Sequence, residues 1–353
     1  MEYSNLTSKI EAAYAAKRPF VFFSKPNEDS ATAIFPTLEV LHPVTVNSHD
    51  GFLFAPFLLK DKVYLYPLEG SEVYTTTVPN INTLKTTVKI QESKKTLSDY
   101  EGLISKTISE IKKTNLKKVV ISRNVSIDLK NFKIDNLLTR LFNLYPDAYR
   151  YIWYHPNHGL WCGATPELLL KTDGSVINTI ALAATQTNGA SISWTVKEKE
   201  EQSLVTRDIS SLLQSITTAL NIGKAKTHVA GTLAHLKTDI TGVLNKGVHD
   251  VSSLASRLHP TPAICGTPTE MAKDFILKNE GYDRSFYTGF FGITSNKGRV
   301  GEVYVNLRCM KIENKKATLY TGGGITASSK PKDERIETQK KQQTMLQVLA
   351  PFL

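Results

Sequence analysis

Two Glu-x-x-Glu pairs, Glu198/Glu201 and Glu334/Glu337, lie far apart in the chain, each in a stretch that reads as helix. A three-residue step sets both carboxylates of a pair on one helix face. Brought together, two such faces would gather four negative charges, which a bound cation makes tolerable. Carboxylate oxygens suit hard divalent ions, and Mg²⁺ keeps coordination positions open for an anionic substrate. An ordinary solvated helix surface is the alternative reading of each pair, and spacing alone does not separate the two.

Other residues invite the same double reading. Lys118 opens an apolar strand, Lys118-Val119-Val120-Ile121. It is either half of a solvated pair with Lys117 or an amine facing the interior, and a desolvated amine becomes a usable base near neutrality. Glu167 stands directly before three leucines, so it either faces outward or sits in a partly apolar pocket where a carboxyl keeps its proton. In Val303–Arg308, alternation puts Tyr304, Asn306 and Arg308 on one face, where Arg308 could fork onto a carboxylate. Lys341 follows Glu337 by one helical turn and points the same way. Gly322-Gly323-Gly324 is either a plain turn or a place where backbone N–H groups can approach an anion closely.

The elements that must hold these residues alternate between short strands and helices. Residues 17 to 90 read as short strands divided by turns. A helix follows, its start marked by a capping box at Ser98-x-x-Glu101. Then come a strand from Lys118 to about Ile127, a helix near 132–144, and strands at 149–154, 159–171 and 175–183. A helix over about 195–220 precedes strands near 227–240, a helix near 249–257 and the irregular segment Leu258–Ala263. A helix at 267–279, strands at 285–294, 301–313 and 316–321, and a helix at 331–349 close the chain. Hairpins with interspersed helices predict an α+β fold, mostly antiparallel sheets packed as a sandwich with helices around it. With no shift of composition along the chain, residues 1–353 are expected to form one domain.

Composition narrows the function class. The net charge of +10 comes from lysines and arginines spread along the chain, without a basic stripe interleaved with aromatics. That pattern argues against a nucleic-acid partner and suits attraction of small polyanions. No apolar run approaches the roughly 18 residues of a membrane span. Cys162, Cys265 and Cys309 are scattered and odd in number, which predicts neither a disulfide framework nor a zinc site. The start has no basic segment followed by an apolar one, so no signal peptide is expected. A cytoplasmic monomer is the expectation.

In order, the chain carries Lys118-Val-Val-Ile-Ser-Arg123, Gly163-Ala-Thr-Pro-Glu167, Lys197-Glu198-x-x-Glu201 and His235-Leu236-x-Thr238-x-Ile240-x-Gly242. Leu258-His-Pro-Thr-Pro-Ala263, Arg284-x-x-Tyr287-x-Gly289-x-x-Gly292, Leu307-Arg308, Gly322-Gly-Gly-Ile325 and Glu334-x-x-Glu337-Thr338-x-x-Lys341 follow. This succession resembles the chorismate-utilising enzymes: isochorismate, salicylate, anthranilate and aminodeoxychorismate synthases. The resemblance covers residues 97–349, leaving 1–96 as a variable N-terminal part.

Members that add water to chorismate have a lysine at the position of Lys118, and the Leu-His-Pro-Thr-Pro-Ala segment resembles the isochorismate and salicylate branch. The resemblance therefore implies conversion of chorismate to isochorismate, for menaquinone or siderophore synthesis. Salicylate synthesis, or binding of chorismate-like acids without catalysis, are the alternatives. It implies Lys118 as the base that activates water for attack at C2 and Glu167 as the acid that protonates the departing C4 hydroxyl. That chemistry asks for an uncharged amine and a protonated carboxyl at one pH. It further implies Mg²⁺ on Glu201 and Glu337, supported by Glu198 and Glu334. Substrate contacts would come from Arg308, Lys341, the Gly322 and Gly323 backbone, and His235. The chain departs from the family pattern at Ala184 and Gln186, where Gly and Arg are usual, at Gln202, where His is usual, and at Thr165, where Ser is usual.

Overall fold

The computed structural model of the chain describes all residues other than 38–49, 60–62, 188, 190, 191, 231, 232, 248 and 249. The chain opens with α1 (Tyr3–Ala15), β1 (Phe20–Ser24), β2 (Ser30–Phe35), β3 (Gly51–Ala55), β4 (Tyr64–Pro67), β5 (Glu72–Thr77) and α2 (Lys94–Lys113). It continues through β6 (Lys118–Asp128), α3 (Ile134–Leu144), β7 (Tyr149–His155), β8 (Gly159–Thr165), β9 (Leu168–Asp173), β10 (Val176–Thr187) and α4 (Val196–Gln214). Next are β11 (Thr217–Ile222), β12 (Lys226–Ala230), β13 (Leu233–Leu244), α5 (Val251–Leu258), β14 (Gly266–Thr267) and α6 (Thr269–Asn279). The last elements are β15 (Phe290–Ser295), β16 (Val300–Val305), β17 (Cys309–Glu313), β18 (Lys316–Ile325) and α7 (Pro331–Leu349), ending in the 3-10 turn Ala350–Phe352.

Two antiparallel sheets result. One has the order β14-β6-β18-β17-β8-β7-β1-β2-β5; the other runs β11-β13-β10-β9-β16-β15-β3-β4, with β12 also on β13. Strands from the first ninety residues enter both sheets, β1 beside β7 and β3 beside β15. The expected α+β sandwich is therefore what forms, and its N-terminal part is woven into it.

Alternation along the strands builds three layers of core. Phe20 and Phe22 of β1 face the helices α1, α3 and α7, whereas Val21 and Phe23 face the opposite sheet. Phe52 and Phe54 of β3 join that inter-sheet layer, while Leu53 and Ala55 pack with residues of α4 and α5. The layer between the sheets is aromatic: Phe54 stacks on Trp153 at 4.4 Å and Tyr151 meets Phe291 at 4.3 Å. Rings of this size bury large apolar area and fill a sheet-to-sheet gap of about 10 Å.

Several boundaries differ from the sequence reading, and two of the differences create the site. The run 159–171 is two strands in different sheets, broken at Pro166-Glu167, because Pro166 has no N–H for a ladder. The run 301–313 likewise divides into β16 and β17 around Asn306-Leu307-Arg308. β8 pairs with β17 and β9 with β16, so the chain crosses between sheets twice, side by side. The crossings are tied together: Val305 N donates to Glu167 O (2.9 Å), Ala164 N to Arg308 O (3.1 Å) and Thr165 Oγ1 to Val305 O (2.7 Å). Asn306 is fully buried; its Oδ1 accepts from Tyr151 Oη (2.6 Å) and its Nδ2 donates to Phe286 O (2.8 Å).

Elsewhere, α2 starts four residues before Ser98. Ser93 is its cap, with Oγ accepting from Thr96 N at 3.0 Å. The helix expected over 195–220 ends at Gln214, and Thr217–Ile222, rich in β-branched residues, joins the edge of the second sheet as β11.

Asn306→Ala leaves a buried hydroxyl and a buried carbonyl without partners. It should lower unfolding stability by about 2–6 kcal/mol, from one to three per orphaned group, read as a shift of the urea midpoint. A midpoint within error of the native protein would show that the crossing does not depend on this side chain.

Candidate active site

A cavity of about 840 Å³, its open mouth included, lies against the two crossings. Its wall includes Lys118, Glu167, Glu201, His235, Arg308, Gly322, Gly323, Glu337 and Lys341, nine of the eleven residues that the sequence singled out. Glu198 and Glu334 are not part of this wall.

Lys118 enters from the first residue of β6 and is 6% exposed. Its Nζ donates to Glu201 Oε1 at 2.7 Å, so the amine is held at a fixed place in the cavity wall. Room for the side chain comes from Gly324: a Cβ there would lie 2.7 Å from Lys118 Cε. The glycine run is not a turn but the end of β18, paired with β6 through Gly322↔Ser122, Gly323↔Ile121 and Gly324↔Val120. Gly322 O accepts from Lys341 Nζ (2.9 Å), while Ser122 N and Val120 N bond to Glu280 Oε1 and Cys265 O. Antiparallel alternation then directs the Gly322 and Gly324 amides to the open edge of β18 and the Gly323 amide to β6.

Glu167 is placed by the first crossing. It touches the cavity's solvent yet is surrounded by protein, and desolvation pushes its carboxyl up to about 7 against the pull of Lys118, Lys341 and Arg308. Arg308, at the second crossing, has a left-handed φ of 47°. Burial draws its guanidinium below the usual arginine range, with Glu337 the largest opposing charge, and it stays a cation. On α7, Lys341 Nζ bonds Glu337 Oε1 at 2.7 Å. Burial raises the Glu337 carboxyl, but Lys341 and Arg308 outweigh it and hold the group below the ordinary glutamate value.

His235 sits on β13 opposite a bulge in β10, where Ala184 takes φ 58°. Its Nδ1 lies 3.1 Å from Ala184 O. A carbonyl only accepts, so Nδ1 carries the hydrogen and Nε2 is an acceptor. Desolvation, with Lys341 and Arg308, lowers this imidazole to about 4, leaving it neutral at physiological pH.

Glu198 also closes the start of a helix. Thr195 and Glu198 form a capping box at the start of α4, and Gln186 Nε2 donates to both oxygens of the same carboxylate at 2.8 and 2.9 Å. Glu334 lies just outside the wall: a Cβ at Gly323 would be 3.5 Å from Glu334 Oε2 and 3.8 Å from Glu337 Oε1. Residues without a role in the sequence reading also line the cavity, among them Tyr287 and Tyr320, whose rings stack at 5.5 Å. Tyr320 stands on β18 and Tyr287 in the turn before β15, and their convergence depends on the sheet crossings.

Hard oxygen donors, three ammonium or guanidinium groups and a neutral imidazole suit a small polyanion with a divalent cation. Among the described residues, no three His, Cys, Asp or Glu side chains form a ready cage for a metal.

Residues 64–350 match the family described as chorismate binding enzyme. The isochorismate synthase DhbC of Bacillus subtilis (strain 168) is 31% identical over 270 residues, 71% of this chain and 67% of that protein. The crystal structure of a 2,3-dihydroxybenzoate-specific isochorismate synthase, DhbC from Bacillus anthracis, superposes with a TM-score of 0.79 at 25% identity, covering 98% of this chain and 99% of that one. MenF, the menaquinone-specific isochorismate synthase from Escherichia coli, shares the fold with a TM-score of 0.76 at 21% identity, covering 94% of this chain and 88% of that one. No helix among the described residues is long and apolar enough to cross a membrane.

Gly324→Ala should displace Lys118 and reduce turnover at least tenfold with little change in the unfolding midpoint. Gly323→Ala, whose new methyl meets nothing closer than 3.5 Å, should be far milder. Equal effects would sink this account of the glycine run. A second expectation concerns pH. Because Glu167 titrates near 7 when folded and near 4.5 as a free side chain, the folded state holds a proton that the unfolded chain releases between these values. Its contribution to stability therefore falls as pH rises from about 4.5 to 7. Glu167→Gln should raise the melting temperature relative to the native protein at pH 8 and not at pH 4; a pH-independent difference would count against the raised value.

Proposed function

We propose, for a chain that belongs to the family of chorismate-binding enzymes, that this cavity converts chorismate to isochorismate. The chain is an enzyme of the isochorismate synthase type, and the single observation that supports the mechanism is the presence of both Lys118 and Glu167 in one cavity wall. Glu167, kept protonated near neutrality by desolvation, is matched to delivering a proton to a poor leaving group.

In this reading, Lys118 first sheds its extra proton to solvent; water then attacks C2 of the ring and gives up a proton to the neutral Nζ. The ring double bonds shift, and the C4 hydroxyl departs as water with the proton of Glu167. One water enters and one leaves, so the reaction is an isomerisation. Glu201 fixes where Lys118 Nζ points, through the 2.7 Å contact. Arg308, Lys341 and the open-edge amides of Gly322 and Gly324 would hold one substrate carboxylate. Neutral His235 would accept a hydrogen bond through Nε2 without adding charge.

Glu201 and Glu337 are the residues that would hold Mg²⁺, with Glu334 behind them; Glu198 supports α4 through its capping box. A bound divalent ion would supply positive charge to balance these two carboxylates and the ring carboxylate of the substrate. Whether the product serves menaquinone or a siderophore is a matter of the next enzyme, and the cavity is the same for both.

Incubation with chorismate and Mg²⁺ should yield isochorismate alone. Salicylate with pyruvate would replace this reading by salicylate synthesis, and saturable chorismate binding without turnover would reduce the protein to a binder. Lys118→Ala and Glu167→Gln should each lower kcat by about 10²–10⁴-fold while chorismate still protects against thermal unfolding. Glu201→Ala and Glu337→Ala should raise the Mg²⁺ concentration for half-maximal activity, whereas Glu198→Ala should mainly lower stability; a Glu198 effect on the metal titration as large as that of Glu201 would reverse the division of roles.

A further inference from the structure

Glu337 and Lys341 reach the cavity from the front half of α7. The apolar anchors of that helix lie further on. Among the described residues, its members of a hydrophobic cluster are Met345, Leu346, Val348 and Leu349, all past Lys341. Apolar packing is non-directional, and here it grips only the last turns. The rotation of the earlier turns, which decides where Glu337 and Lys341 point, must be set by something else.

Polar contacts set it. Arg123, on β6, donates from Nε to Thr338 Oγ1 at 3.0 Å, one residue past Glu337, and its two other nitrogens donate to the two oxygens of Glu92. Glu92 stands between β5 and α2, in a stretch without regular structure, and also accepts from Gln339 Nε2 at 2.9 Å. Gln339 Oε1 accepts from Arg335 Nη1 (2.7 Å), whose Nε is bound to Glu101 of α2 (2.6 Å). One turn on, the Gln343 amide exchanges two hydrogen bonds with the backbone of Val88, at 3.1 and 2.9 Å. Thr338 is fully buried, and the side chains of Arg123 and Glu92 are 6% and 5% exposed. Burial raises the Glu92 carboxyl, but its hydrogen bonds with Arg123 and Gln339 outweigh that and hold it below the ordinary glutamate value. An ionised pair shielded from water is a poor source of stability, because desolvation offsets its attraction and apolar residues of similar volume often do as well. What a forked guanidinium adds is direction.

We propose that Glu92 and Arg123 are positioning residues for the reaction: with Thr338 they set the rotation of α7 and so direct Glu337 and Lys341 into the cavity. One half of this clamp comes from residues 1–96, the part outside the family resemblance. That the directed groups meet chorismate rests on the function proposed above; the hold on α7 does not.

The test replaces the pair by apolar residues, Glu92→Leu together with Arg123→Met, since a methionine can still pack on the Tyr100 ring that lies 5.4 Å from the guanidinium carbon. This double variant should melt near the native temperature yet lose about 10- to 100-fold in kcat/KM, the scale of a small misplacement of binding groups. Without Mg²⁺, it should need at least tenfold more chorismate for the same protection against thermal unfolding. Thr338→Val, which keeps the shape and removes the acceptor, should weaken protection in the same direction, and Thr338→Ser should restore it. Hydrogen exchange reads the clamp without substrate: it should quicken over residues 331–341 of the double variant and stay unchanged over 345–349. Unchanged exchange over 331–341 overturns the clamp, whatever the native protein does with chorismate. Faster exchange there with native kcat/KM and native chorismate protection overturns the positioning role. If the double variant does not fold, equal protection in Thr338→Val and Thr338→Ser overturns the proposal by itself.

Discussion

Everything at the active site hangs on two strands that leave one sheet and enter the other side by side. A strand that changes sheets must give up its ladder for a few residues, and the orphaned backbone groups then need partners. Here each crossing supplies the other: the carbonyls of Glu167, Val305 and Arg308 accept from the neighbouring crossing. The outcome is a rigid corner that exposes two side chains, Glu167 and Arg308, at the place where regular structure is interrupted. Rigidity matters because a carboxyl kept neutral by desolvation stays so only while its surroundings cannot relax around it.

Charge balance follows from that corner. Lys118, Arg308 and Lys341 face two ionised carboxylates, Glu201 and Glu337, once Glu167 holds its proton. The wall is left with one excess positive charge in a low-dielectric setting, the sign that draws an acidic substrate. Each ammonium is also tethered to one carboxylate, at 2.7 Å in both pairs. Removing one member of such a pair leaves the other uncompensated, so these residues constrain one another as much as they meet a substrate.

The parts of this arrangement that the sequence displayed were the local ones. Hydrophobic periodicity located most helices and strands, and ordered motifs located nine residues of the cavity wall. The breaks at Pro166-Glu167 and Asn306–Arg308 stayed hidden because the strands are buried on both faces, so their apolar runs continue through the crossing. Gly324 looked like part of a turn, and only the register of β18 on β6 shows that it clears a path for Lys118. Glu198 is the instructive case. Thr195-x-x-Glu198 is a capping-box pattern in plain sight, yet the Glu-x-x-Glu spacing suggested a metal ligand for the same carboxylate. One spacing carries two physical readings, and the hydrogen bond from the Thr195 backbone N–H shows the capping one in place.

Three of the four departures from the family pattern, Ala184, Gln186 and Gln202, cluster around α4, and they form a connected patch. Ala184 occupies a left-handed conformation that glycine would take without a Cβ penalty, and its carbonyl orients His235. Gln186 grips Glu198, and Gln202 bridges Ala181 and Thr238. Together they pin the first half of α4 to β10 and β13 through amide groups instead of the charged and imidazole side chains usual at two of these positions. A neutral amide makes directional bonds without adding to the field at the active site, so α4 is anchored while the cavity keeps its balance of charge. The same helix carries Glu201 into the cavity wall, so its docking fixes where that carboxylate sits.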